Sequence, residues 1–308
     1  MSYTIIDAHA HLWLNQDTTV NGQAVRSLEG GRSEFFGEIR QMMPPYMTDG
    51  RNTAEMLIAN MDYAQVSAAV ITQEFIDGNQ DDYLLKVQQE HPDRLLCCAL
   101  IDPREKDFVT HVQQAHLKGF RAAKLPAGRL ITPADRTYLT DNRLMDVFAY
   151  MQDKEMILSI DLADGDEQVA EMEELIAAFP SLKIAVGHFG MVTRKGWLEQ
   201  IRLARHPNVR IESGGITWLF HSEFYPYQGA VSAIREAAGL VGMDKLMWGS
   251  DYPRTMTAIT YRMSWDFLER TTELQEHDKA LFLGVNAAAF YGFENARQLP
   301  YIKNMVED

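Results

Sequence analysis

The chain is poor in cysteine, poor in basic charge and without a long apolar run. Its 308 residues include two cysteines, adjacent in "RLLCCALID" as Cys97 and Cys98. Neighbours on an extended chain point to opposite faces, so a disulfide between them is geometrically disfavoured, and a buried reduced pair is expected. Lysine and arginine number 29 against 43 aspartates and glutamates, a formal net charge of -14. That balance argues against nucleic acid or an anionic membrane surface as a partner. No stretch of about 18 apolar residues exists to span a bilayer. The first strand-like run begins within a few residues of the N-terminus, with no basic segment, apolar core and cleavage site before it. Together these absences give a cytoplasmic location as the expectation. Repeats and low-complexity segments are also missing, and no glycine-rich phosphate loop follows the first strand.

What the chain does have is alternation. Hydrophobic residues make up 46% and charged residues 23%, enough for a large core. Short apolar runs at 3–9, 68–73, 95–102, 120–125, 156–162, 182–188, 208–214 and 245–251 read as eight strands. Amphipathic stretches between them, such as 53–64, 80–91, 166–179 and 232–241, carry apolar residues at helical spacing. Helix-stop signals precede several strands: "HPDR", "LKGF", "FPSL" and "RHPN". Eight β/α units predict an α/β fold, a parallel (β/α)8 TIM barrel formed by residues 1–308 as a single domain. A doubly wound open sheet is the alternative, weakened by the missing phosphate loop.

Two connections exceed what a barrel needs. Residues 14–51 show no clear periodicity and carry the aromatic-rich "SEFFGEIRQMMPPYM"; residues 216–229, "ITWLFHSEFYPYQG", are equally aromatic. Both leave the C-terminal ends of strands, where barrel enzymes keep their sites. They read as pocket walls or lids, with Trp218 a candidate substrate contact, or as surfaces for self-association into a homo-oligomer.

Strand parity then gathers a ring of ionisable groups. His9 and His11 share one face of an extended chain. Asp161 falls on the inward row of "MILSIDL", Lys124 with Ala122, Glu212 with Arg210, and Asp251 with Gly249 and Met247. His188 falls with Val186 and Ile184, and on the second strand either Gln73 or Glu74 ends the inward row, Glu74 being the substrate-facing candidate. Burying so many charges in a purely structural core costs several kcal/mol each unless they are paired, so the ring reads as an active site. Arg129 and Arg254 flank strand ends, where a guanidinium fork suits a substrate carboxylate. Of the remaining histidines, only His221 falls near the expected mouth.

The motifs "DAHAHLW", "VGHFG" and "WGSDYP", in this order across the whole chain, resemble the amidohydrolase superfamily. With "ITQEFIDGNQDDYLL" and "PDRLLCCALIDP" they look most like its amidohydrolase-related branch of sugar-acid and pyrone-dicarboxylate lactonases. The resemblance implies that Asp251 orients or deprotonates an attacking water beside His9 and His11, and that His188 polarises a carbonyl or shuttles protons. Metal-dependent relatives usually place a histidine on the fifth strand, where "SIDLAD" offers Asp161. Two readings follow. In one, His9, His11 and Asp251, with Asp161 completing the shell, bind a divalent ion such as zinc or manganese. In the other, His9, His11, His188 and Lys124 supply positive charge directly. The expected reaction is hydrolysis of a lactone of a sugar acid or small carboxylate, on an anionic or polyhydroxylated substrate. A metal-dependent decarboxylase or hydratase of an unsaturated carboxylic acid is the alternative, and a non-catalytic binding barrel stands further off.

Overall fold

The computed structural model describes residues 4–132 and 136–307. Tyr3, the first residue of the first expected strand, lies outside them. Eight parallel strands run β1 (Ile5–His11), β6 (Val66–Thr72), β7 (Leu95–Leu100), β8 (Ala122–Leu125), β9 (Ile157–Ile160), β10 (Lys183–Val186), β11 (Val209–Glu212) and β12 (Leu246–Met247), each beside the next. The seam closes through backbone hydrogen bonds from Ala8 N to the Trp248 carbonyl (2.9 Å), Asp251 N to His9 (2.8 Å) and His11 N to Tyr252 (2.8 Å). The expected TIM barrel is therefore present. Helices such as Ala54–Ala64, Asp81–Glu90, Phe108–Lys118, Asn142–Asp153, Val169–Ala178 and Gln228–Val241 fill the outer ring.

The core has two layers. Outward residues such as Ile71, Leu158, Val186, Ile211 and Trp248 pack against the helices. Inward residues Ile6, Ala8, Val70, Leu96, Cys98, Ala122 and Met247 form a separate cluster at the barrel's foot. Ala287, Phe290, Tyr291 and Phe293 close that cluster from below. Each fully buried ring of this size contributes about 1.5–3 kcal/mol. Cys97 and Cys98 are buried free thiols. Burial pushes the Cys98 thiol up to about 12, which leaves it unreactive.

The segment 14–51 departs from expectation. Instead of an aperiodic loop it forms an antiparallel sheet of β2 (Asp17–Val20), β3 (Gln23–Ser27), β4 (Arg32–Phe35) and β5 (Glu38–Gln41). Strands of four or five residues with one buried position or none cannot show a period-two signal. The turn chemistry does show it. Asn21-Gly22, both at positive φ, joins Val20 to Gln23 in a two-residue hairpin, and Phe36-Gly37 repeats the device. No helix among the described residues is long and apolar enough to cross a membrane.

Candidate active site

A bulge in β1 makes the opening histidine pair work. Pairing with β6 slips between Asp7 and Ala10, so three residue steps on β1 span two on its neighbour. Ile6 and Ala8 consequently face the barrel foot, whereas His9 and His11 both face the mouth. Asp7 holds the bulge from behind: it accepts from His9 N (3.0 Å), Ser250 N (2.8 Å), Ser250 Oγ (2.5 Å) and Tyr261 Oη (2.8 Å). Those bonds tie β1 to the stretch that carries Asp251.

The two imidazoles meet at their Nε2 atoms, 3.0 Å apart. His9 Nδ1 lies 2.6 Å from Glu212 Oε1 and His11 Nδ1 lies 2.9 Å from Asp77 Oδ2. A carboxylate on each Nδ1 fixes the proton there and turns the Nε2 lone pairs toward one point. Asp251 Oδ1 sits 3.2 Å from His11 Nε2 and 4.0 Å from His9 Nε2. Trp218 Nε1 donates to its other oxygen at 3.0 Å. Oδ1 is buried and has no hydrogen-bond donor. Burial pulls the His9 imidazole below its usual pKa against the pull of Glu212. For His11, burial and Arg254 disfavour charge, but Asp77 and Asp251 outweigh them and raise the pKa. Asp251 is held well below the usual carboxylate range, because His11 and Arg254 more than offset its burial. The pocket thus favours positive charge where His9, His11 and Asp251 converge. Two nitrogens and an orphaned carboxylate oxygen within 4.8 Å of one another suit a divalent cation such as zinc or manganese.

A second group stands beside the first. Lys124 Nζ lies 2.5 Å from Asp161 Oδ1, and His188 Nε2 lies 3.4 Å from Asp161 Oδ2. His188 Nδ1 is bound to the Gly214 carbonyl at 2.9 Å. Lys124 and His188 overcome burial to keep Asp161 ionised, and Asp161 in turn raises His188 to about 10, so the imidazole is cationic at neutral pH. His9, His188 and Asp161 also bring their ligand atoms within 4.8 Å of one another. The tight approach depends on Gly187: a Cβ there would stand 2.0 Å from Asp161 Oδ1 and 2.6 Å from Glu212 Oε1.

Parity places these side chains with one exception and one change of role. Asp161, Glu212 and Asp251 face inward as expected. His188 does not share an inward row with Val186 and Ile184, which pack outward. Gly187 holds the inward position, and His188 reaches the site by leaving the strand at φ 58°. Lys124, expected on the inward row as a source of positive charge, is fully buried and closed off by Asp161. Gln73 points away, to Asp81 and the Cys98 carbonyl, so Glu74 is the residue at the cavity. Arg210 lies at the barrel foot over the Phe290 ring, and His221 is exposed.

Glu74, Arg129, Trp218 and Arg254 all border one cavity of about 460 Å³ above His11, Asp161, His188 and Asp251. Phe35 and Met42, from and beside the small sheet, form part of its wall. Asp77 is the residue that sequence reasoning missed. It holds His11 and accepts from Arg254 Nη2 at 2.5 Å. It ends a 3₁₀ turn, Phe75–Asp77, whose reciprocal cap with Glu74 is the local signal, and strand parity does not extend into a turn.

A model of the amidohydrolase family matches residues 6–293. The chain belongs to the amidohydrolase family. A protein of Sinorhizobium fredii is 26% identical over an alignment 309 positions long, gaps included, that covers 93% of this chain and 98% of that one. Among solved structures, a probable 2-pyrone-4,6-dicarboxylic acid hydrolase from Acinetobacter baumannii, with citric acid bound, superposes at TM-score 0.68 and 18% identity over 94% of this amidohydrolase and 99% of that chain. An amidohydrolase from Burkholderia multivorans with bound zinc gives 0.67 and 16% over 94% and 99%. A 5-carboxyvanillate decarboxylase from Novosphingobium aromaticivorans, with manganese, gives 0.59 and 17% over 79% and 81%. At these identities the likenesses bear on the fold.

Proposed function

We propose that this amidohydrolase opens a lactone ring by hydrolysis, with Asp251 as the general base. The observation that carries the reading is the Asp251 carboxylate: ionised, oriented by Trp218, and aimed into the cavity through an oxygen with no other donor. Water attacks the ester carbonyl as Asp251 takes its proton. Charge building on the carbonyl oxygen is met by the His188 imidazolium, itself anchored by Gly214 and Asp161. Collapse breaks the bond between the acyl carbon and the ring oxygen, and the proton held at Asp251 passes to that oxygen, giving a hydroxy acid. His9, His11 and Asp251, flanked by Asp161, would hold a zinc or manganese ion, which when bound acidifies water and polarises a carbonyl. Arg129 and Arg254 offer guanidinium groups to an anionic substrate. The proposed setting is the cytoplasm, where two buried thiols stay reduced, and residues 1–308 act as one catalytic unit.

Acid release from a lactone panel, followed in a pH-stat with parallel elemental analysis of the purified protein, tests the reading. Hydroxy-acid formation is expected. Carbon dioxide released from an unsaturated or aromatic acid, with every lactone left intact, would replace it with the decarboxylase alternative.

A further inference from the structure

We infer that the protein pairs with a second copy of itself along β5 (Glu38–Gln41), the two strands running antiparallel about a two-fold axis at Ile39. The small sheet ends in β2 on one side and β5 on the other. At β2, Thr18 lies against Gly78, beside the turn that carries Asp77. At β5 all four residues are exposed. The backbone there is set for a partner. Phe36-Gly37 is a two-residue turn, so Phe35 and Glu38 form the hydrogen-bonded pair that closes the hairpin, and Ser33 with Arg40 form the next. Ile39 and Gln41 alternate with these, and their N–H and C=O groups face outward, away from β4. Such an edge is a template for another strand, and proteins ordinarily guard it with charge.

Here the charges select a partner instead. Glu38 and Arg40 share one face of β5, joined at 2.8 Å, and both side chains are more than half exposed. Ile39, on the other face, is 67% exposed. Setting Ile39 opposite its own copy lets the two exchange both backbone bonds and cover each other's side chains. The same register places Glu38 opposite the partner's Arg40, and Arg40 opposite the partner's Glu38, in the closer, non-hydrogen-bonded pairs. Each charge then has an opposite neighbour along its strand and another across it. Sliding the copy by two residues either way sets glutamate against glutamate or arginine against arginine, so the pattern specifies the register. The contact is self-complementary and closes at two copies. It is also small, so the dimer is expected to be reversible. It reaches one wall of the cavity, since Phe35 pairs with Glu38 and Met42 follows Gln41.

Light scattering during size-exclusion chromatography of the full chain, loaded at about 1 to 100 µM, reads the mass. A dimer is expected at the upper end. Ile39→Pro removes the outward N–H and leaves the bonds to β4, and should give a monomer throughout. Glu38→Arg or Arg40→Glu alone sets like charges opposite each other and should weaken self-association at least about tenfold. An equimolar mixture of these two single variants restores opposite charges across the strands, and should form a heterodimer where neither variant forms a homodimer. The double reversal, Glu38→Arg with Arg40→Glu in one chain, should recover the parent's dimer. A parent that stays monomeric, an oligomer indifferent to Ile39→Pro, or single variants that fail to associate on mixing each overturn the inference.

Discussion

Replacing Gly187 by alanine adds one methyl group at the most crowded point of the site. The backbone there, φ -81° and ψ 167°, is one that any residue adopts, so the effect is steric and not conformational. The new Cβ would lie 2.0 Å from Asp161 Oδ1 and 2.6 Å from Glu212 Oε1. A carbon–oxygen contact relaxes only beyond roughly 3.2 Å, so Asp161 must retreat by more than an ångström. Its oxygen is the one that Lys124 binds at 2.5 Å, and both partners are buried. Overpacking alone costs about 1–3 kcal/mol, and loosening a buried ion pair approaches 3–5 kcal/mol. A loss of about 3–5 kcal/mol is the expected sum, since the two effects share one displacement. Gly239→Ala supplies the control: it sits in the helix Gln228–Val241 with nothing within 4 Å of its Cβ. The same chemical change there should stabilise by about 0.5–1 kcal/mol. Urea unfolding of the two variants beside the parent measures both. If Gly187→Ala stays within about 0.5 kcal/mol of the parent, the close packing of Asp161, Glu212 and Gly187 is not what holds the site.

Asp251→Asn should lower kcat by about 10²–10⁴ while leaving the fold intact, checked by initial rates and a melting curve. Asp77→Asn removes the anion that both His11 and Arg254 use, so metal content measured by elemental analysis is expected to fall. Lys124→Met strands the Asp161 carboxylate, buried and ionised, and should destabilise by about 3–5 kcal/mol in urea. Away from the cavity, hydrogen bonding to Asp81 Oδ2 raises the pKa of His111. The folded chain therefore binds a proton more readily than the unfolded one. This stabilisation is complete below about pH 6.5 and fades as pH rises through the folded-state pKa. Its partly exposed setting keeps it below about 1 kcal/mol. The parent should lose its advantage over His111→Gln on going from pH 6 to pH 8, read as the difference between their urea midpoints.

The barrel and half of the site were legible because strand parity and β/α alternation are repeating signals. Asp161 and Asp251 follow it, and so does Glu212. His9 and His11 face the mouth for a reason the pattern does not contain, since a bulge resets the parity after Ala8. His188 breaks the pattern in the opposite manner, by turning out of its strand one residue past an inward glycine. Asp77 and the small sheet of β2–β5 lie where no period operates. For both, capping and turn chemistry carry the information, in Glu74 with Asp77 and in Asn21-Gly22. Parity gives Lys124 its inward direction but not its reach, because Asp161, which it binds, stands between it and the cavity.

The plug of Ala287, Phe290, Tyr291 and Phe293 beneath Ile6 and Ala8 bears on how the chain is made. Contacts that join the first strand to residues about 280 positions later cannot form while those residues are still inside the ribosome. Until then the barrel foot presents apolar side chains to water. Synthesis at roughly 5–20 residues per second holds that open form for many seconds. Loop closure over such a span is slow as well. The nascent chain is thus exposed to chaperones and proteases until this stretch emerges, and the helix Asn286–Tyr291 acts as the latch that ends that interval.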